Sequence, residues 1–275
     1  MIHPPGHDIR LVQGDERSLP VARVVGTHEW AVRARVLKRD ARSSVLAGDS
    51  PSGEVVVKSI PLDRPKDALA RLVGSTRLSR QWRGSELLAG AGINAARHLA
   101  LWRGRDEGGR LIESLAIELV RGPMLLRCLA QDNLRPRQAR IELARAAGAL
   151  VARMIQAGLF NRDQKPSNII VTSAEPPETP ERLVLLDPVG VRPLGLMNRQ
   201  SARRRMLFAL LVEPIGCDLD VPMRLRMEAM HACARALGAP RNAVRADFRE
   251  IDQMLFEHGD PTPDINPLDE VRQSP

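Results

Sequence analysis

The sequence predicts an α+β chain of two lobes, a small strand-rich N-lobe followed by a helical C-lobe. Three observations predict it. Short β-type runs dominate residues 31–120, apart from one helical stretch at 66–90. Helical periodicity dominates from about 136 to 258, and the polar loops richest in chemistry sit at strand ends near the middle. A chain of 275 residues with 43% hydrophobic residues is long enough for two packed lobes and the cleft such a pair encloses.

Residues 1–30 are rich in Pro, Gly and charge and read as an N-terminal extension without assigned structure. The N-lobe is expected over 31–120. Its first segment, AVRARVLK, alternates apolar with basic residues as a half-buried strand does. Two apolar runs, SSVLA and EVVVKSI, flank Gly48-Asp49-Ser50-Pro51-Ser52-Gly53, which is hairpin turn chemistry. A helix follows over 66–90, then strands at LALW (99–102) and SLAIELV (114–120).

The C-lobe is expected over 121–258. Its main helix runs from about 136 to 157, with Ile141, Leu143, Ala147, Leu150, Val151 and Met154 at helical spacing. Pro136 suits the first turn and Gly158 the C-terminal cap. The tail, 259–275, carries four prolines and is expected to be disordered.

Composition excludes several function classes. The net charge is +8, which favours anionic partners. Aromatic residues are only 3%, however, and there is no tyrosine, so single-stranded nucleic acid has little to stack on. With no nucleic-acid-binding motif either, no nucleic-acid partner is expected. Cys128, Cys217 and Cys233 are too scattered for zinc or a disulfide framework and read as buried thiols. The absence of a signal peptide and of an apolar run of about 18 residues predicts a cytoplasmic protein.

The chemistry concentrates in NRDQKPSN (161–168), which follows the main helix and runs straight into IIVT. Nineteen residues after Asn168, the strand LVLL delivers Asp187 within Asp187-Pro188-Val189-Gly190. Phosphoryl transfer from ATP needs positioning, neutralisation of phosphate charge and orientation of the attacking hydroxyl. Asp163 is suited to orient the hydroxyl and take its proton, and Lys165 to reach the transferring phosphate. Asn168 and Asp187 offer the hard oxygen ligands that Mg2+ requires.

This D-x-K-x-x-N segment followed by D-x-x-G resembles the protein-kinase superfamily. The resemblance implies ATP and Mg2+ as cofactors. It makes Lys58 in VVVK the strand lysine that holds the α- and β-phosphates. It makes Glu86 that lysine's helix partner, with Gln81 the alternative. It also makes Ile117-Glu118-Leu119-Val120 the hinge, where the backbone of Glu118 and Val120 would bond adenine.

Over residues 55–210 the chain is more particularly similar to the bacterial lipopolysaccharide core (Kdo/heptose) kinases, through WRGSELLAGAGI, NRDQKPSNIIV and LLDPVGVRP. The expected acceptor is then a sugar hydroxyl of lipopolysaccharide inner core, met at the cytoplasmic face of the inner membrane. The basic run Arg199-Gln200-Ser201-Ala202-Arg203-Arg204-Arg205 would grip phosphorylated sugar or anionic lipid headgroups. A Ser/Thr protein kinase and a non-catalytic pseudokinase binding a partner are the alternatives.

The chain departs from the superfamily pattern at three places. Asn161 stands where a histidine is usual, and is expected to bond backbone near Asp187. Pro188 replaces the phenylalanine of D-F-G and favours an extended Asp187 and a metal loop that resists flipping. The phosphate-lid segment 38–44 has no glycine, which leaves Arg39, Arg42 and two serines to substitute.

Overall fold

A computed structural model describes residues 7–39, 42–106, 108–130, 136–172 and 180–258. The expected disordered tail lies outside the described residues, as do Asp40 and Ala41 of the phosphate-lid segment. The chain divides into two compact units, Met1–Glu86 with Ala96–Leu119, and Leu87–Ala95 with Val120–Pro275.

The first unit is built on one antiparallel sheet. Its elements in chain order are β1 (His7–Gln13), α1 (Ser18–Val25), α2 (His28–Arg33), β2 (Arg35–Arg39), β3 (Ser44–Ser50), β4 (Gly53–Pro61), α3 (Pro65–Leu72), α4 (Arg77–Gly90), β5 (His98–Arg105) and β6 (Leu111–Glu118). The strands lie in the order β1-β5-β6-β4-β3-β2. Ser50 accepts the Ser52 N–H and donates to the Gly53 carbonyl, and Gly53 takes the positive φ of +100° that closes the β3–β4 hairpin.

Three features of this unit differ from the sequence expectation. Residues 7–30, left unassigned, supply β1, α1 and the start of α2. Val21, Ala22 and Val25 of α1 pack against Val55, Val57, Ala100, Trp102 and Ala116, so this segment closes one face of the sheet. The AVRARVLK run is half helix. Thr27 accepts the Trp30 N–H at 3.2 Å and caps α2, so a local cap overrides the two-residue alternation until Arg35. The single helix expected at 66–90 is two, because Gly74 adopts φ +61° between α3 and α4.

The second unit contains α5 (Leu125–Ala130), α6 (Arg137–Gln156), β7 (Leu159–Asn161), β8 (Ile169–Val171), β9 (Leu183–Leu185), β10 (Val191–Pro193), α7 (Arg199–Gly216), α8 (Met223–Ala236) and α9 (Arg241–Glu257). Helix α6 is its spine. Pro136 is the N-cap, and the chain leaves through Gly158 at φ +71°, a left-handed position that glycine takes without strain. Leu143, Ala147, Leu150, Val151, Met154 and Ile155 are buried with Ile169, Val171, Leu183 and Leu185 of the short strands. Each fully buried Leu, Ile, Val or Met contributes about 1.5–3 kcal/mol relative to exposure. No helix among the described residues is long and apolar enough to cross a membrane.

Helices α6 and α8 approach at backbone distance. A Cβ added to Gly148 would lie 1.9 Å from the Ala229 carbonyl oxygen. Arg145 beside it pairs with Glu228 of α8 at 2.8 Å. Gly148→Ala is therefore expected to force the helices apart and lower unfolding stability by roughly 1–3 kcal/mol. A urea melt reads the change, and an unaltered midpoint would refute the close approach.

All three cysteines are buried and none is in a disulfide, and burial pushes the Cys233 thiol up to about 12. Because only the thiolate reacts, iodoacetamide at pH 8 should add nothing to the native chain and three adducts to the denatured one. Mass spectrometry distinguishes the two.

Candidate active site

Two interleaved ribbons hold the polar loops in the second unit. Strand β7 pairs antiparallel with β10, and β8 pairs antiparallel with β9. The loop from β7 to β8 carries Asp163, Lys165 and Asn168, and the loop from β9 to β10 carries Asp187. Each chain connection crosses from one ribbon to the other, so the two loops are pinned side by side. The Arg162 N–H donates to the Gly190 carbonyl at 3.2 Å, and the Leu186 N–H donates to the Asn168 carbonyl at 2.9 Å.

Asn161, fully buried, organises the first loop. Its Oδ1 accepts the Asp163 N–H at 3.0 Å, and its Nδ2 donates to Gln164 Oε1 at 2.7 Å. Its own N–H points at Met206 Sδ on α7, 3.3 Å away. The expectation that Asn161 would bond backbone near Asp187 is thus corrected. A side chain this short closes a turn within its own loop, as Asx residues do. Gly190 explains the closeness of the two loops. A Cβ there would sit 2.8 Å from both Asn161 Oδ1 and Asp163 Oδ2.

Asp163 is three-quarters buried, and the exposed Arg162 lies across it with nitrogens 3.2 and 3.3 Å from its two carboxylate oxygens. Hydrogen bonding to Asp163, reinforced by its charge, raises the Arg162 guanidinium above its ordinary value. Asn168 Nδ2 donates to the Asp163 carbonyl at 3.2 Å, which leaves Asn168 Oδ1 available to a cation. Lys165 is exposed on the same loop. Asp187 has φ −123° and ψ 79°, outside the helical region, with the buried Pro188 opening a 3-10 turn after it.

Sequence reasoning did not single out Glu213. This buried α7 carboxylate accepts both the N–H and the hydroxyl of Ser167, at 2.8 and 2.5 Å. It anchors the loop one residue before Asn168. An acid inside the apolar run LLVEPIG was its only signal.

In the first unit, Lys58 lies on the sheet face opposite α1, since Val55 and Val57 occupy the α1 face and side chains alternate. Its Nζ is 3.4 Å from Gln81 Oε1 on α4. Gln81, not Glu86, is therefore the α4 residue at Lys58. Five positions separate the two, about 140° around a helix. Glu86 is exposed and accepts from Trp82 Nε1, one turn away, at 2.8 Å. At the end of β6, the Glu118 N–H bonds the Arg97 carbonyl, and the Glu118 carboxylate pairs with Arg97 at 3.0 Å. Val120 follows, and among the described residues no backbone carbonyl accepts its N–H.

The basic run on α7 is divided, with Arg199 and Arg205 exposed and the two arginines between them turned inward. Arg203 is buried and ion-paired with Asp247 of α9, and Arg204 bonds the same carboxylate at 2.8 Å. Only Arg205 of the three is exposed.

The antiparallel sheet unit and helical unit, with these loops between short strands, make a kinase-like fold. Among solved structures the chain is similar to "WaaP in complex with acyl carrier protein", with a TM-score of 0.58 over 90% of this chain and 98% of that one. Sequence identity is 17%, a likeness of fold. No protein-family model matches the sequence, and no curated protein matches it.

Replacing Glu213 by Ala would leave the Ser167 N–H and hydroxyl without an acceptor in a buried setting. The expected loss is about 1–3 kcal/mol of unfolding free energy, with Glu213→Gln intermediate because it keeps one acceptor oxygen. Equal stability of all three proteins in urea would show that the anchor is idle.

Proposed function

We propose that the protein is an ATP- and Mg2+-dependent phosphotransferase whose acceptor is a sugar hydroxyl, with lipopolysaccharide inner core the acceptor class to which its sequence resemblance points. The observation that carries this reading is the pairing of loops that sets Asp163 and Asn168 beside the strand end bearing Asp187, through the Leu186–Asn168 and Arg162–Gly190 hydrogen bonds.

The donor set fits magnesium. Among the described residues no three His, Cys, Asp or Glu side chains gather to hold a metal by themselves. Mg2+ does not ask for that, because it takes one or two protein oxygens and completes its octahedron with phosphate and water. Asn168 Oδ1 and the Asp187 carboxylate would hold it, and bound there it would supply charge neutralisation of the phosphates.

The chain's own residues do the rest. Asp163 orients the acceptor hydroxyl and takes its proton. Lys165 stabilises charge on the transferred group. Lys58, met on α4 by the Gln81 amide, is assigned to the α- and β-phosphates. The backbone of Glu118 and Val120 is assigned to adenine. The protein would act at the cytoplasmic face of the inner membrane, where such an acceptor is met.

The test is turnover of labelled ATP with Mg2+ and purified core lipopolysaccharide. Asp163→Ala should lower turnover by roughly 10²–10⁴-fold. Gly190→Ala should lower it by about 10²-fold while unfolding stays cooperative, because the added methyl displaces Asp163. ATP binding without any turnover in the unaltered protein would overturn the catalytic reading in favour of a binding module.

A further inference from the structure

Helix α3 presents an exposed apolar face. Pro65 opens the helix, and Asp67 closes its first turn by accepting the Arg64 N–H at 3.1 Å. None of its eight residues is buried. Leu69, Leu72 and the C-cap residue Val73 are 65%, 84% and 66% exposed. They stand at i, i+3 and i+4, so the three side chains share one side. A helix of two turns is marginal by itself and takes its stability from what it packs against. One exposed leucine asks for no account, but three aliphatic side chains together on an unpacked helix mark a contact surface.

The charge around that face is positive. Residues 63–86 hold six basic side chains, Arg64, Lys66, Arg71, Arg77, Arg80 and Arg83, all exposed, against three acidic ones. Two of the acids are engaged, Asp67 with the Arg64 N–H and Glu86 with the Trp82 indole. Lys66 lies one turn before Leu69, at the edge of the apolar face. On α4 the buried Leu78, Gln81 and Trp82 turn Arg80 and Arg83 outward. Arg83 donates to the carbonyl of Gly74, which puts a guanidinium beside the residue that follows Val73. The chemistry selects the partner. A protein interface is commonly anchored by aromatic side chains, and residues 61–81 contain none. Nucleic acid would engage the arginines but has no use for aliphatic side chains exposed among them. Aliphatic groups beside cations match the boundary of an anionic bilayer, where acyl carbon lies just beneath charged phosphate.

We infer that α3 and the first turns of α4 dock the protein on the surface of an anionic lipid bilayer. Leu69, Leu72 and Val73 enter the acyl boundary, and Lys66, Arg80 and Arg83 meet headgroup phosphates. The long stems of the arginines let their charged ends stay in water while the helix lies flat. The contact therefore falls on the first unit and not on the arginine run of α7, half of which is spent on Asp247. This surface serves the membrane location proposed above, yet it rests on α3 and α4 alone and on no catalytic residue.

Co-sedimentation of the full chain with lipid vesicles tests the inference. Vesicles of phosphatidylglycerol and phosphatidylcholine in equal parts should carry the protein down, and phosphatidylcholine alone should hold it roughly tenfold less tightly. L72E should weaken binding to the anionic vesicles by about tenfold or more, because it sets a carboxylate against acyl chain and headgroup phosphate. Its urea midpoint should match that of the unaltered protein, since Leu72 is exposed. R80A should weaken binding by roughly fivefold, the share of one surface cation. R199A/R205A should bind as the unaltered protein does. Vesicle binding that L72E leaves intact would sink the proposal. Release by R199A/R205A would do so as well, by placing the contact on α7. So would a DNA duplex that binds more tightly than the vesicles and is held equally by L72E, because the surface would then read charge alone. Neither ATP nor an acceptor enters the assay. Failure of turnover therefore leaves the docking surface standing, and unmoved binding in L72E removes the surface alone.

Discussion

The backbone at Gly190 approaches the loop Asn161–Asp163 so closely that a methyl group there would meet two side-chain oxygens at 2.8 Å. That approach fixes the rest of the site. It lets the Gly190 carbonyl accept the Arg162 N–H, which docks β10 on β7. It seats Asp163 on the far side of the same contact, within reach of Asn168. Glycine is required here for absence of bulk rather than for backbone freedom. The usual account of motif glycines as hinges does not apply to this one.

The buried polar groups around that contact behave as one unit. The Asn161 side chain is short, which limits what it can reach. Asn161 and Gln164 compensate by bonding each other, both at or near zero exposure. Gln164 Nε2 has no partner among the described residues, a cost of the order of 1–3 kcal/mol. The loop therefore depends on outside supports, which Glu213 through Ser167 and Met206 through the Asn161 N–H supply from α7. Helix α7 is the element that turns a loop with an imperfect polar core into a fixed one.

The fold class was legible because its signals are local. Helix α6 shows in the spacing of Leu143, Ala147, Leu150 and Met154, and the β3–β4 hairpin shows in Pro51-Ser52-Gly53 between Val-rich runs. Helices α1 and α2 were not legible. They are short, α1 has no side-chain cap, and their stability comes from packing on a sheet whose strands lie far along the chain. Glu86 drew attention as the only carboxylate in its helix, but charge does not say which way a helix turns. The buried neighbours Leu78 and Trp82 set that rotation and put Gln81 inside. Glu213 was hidden for the opposite reason, since one acid in an apolar run acquires meaning only when its partner, Ser167, is brought 46 positions back to it.

The same reasoning changes how the chain's positive charge should be read. A run of three arginines invites a surface reading, yet a helix sends consecutive residues about 100° apart, so such a run cannot share one face. Two of the three turn inward and use the planar, always-charged guanidinium to tie α7 to α9 through one Asp247 carboxylate. Arg145 with Glu228 does comparable work between α6 and α8. Charge counted along the chain is only a sum, and the fold decides which of its members stay at the surface and which hold helices together.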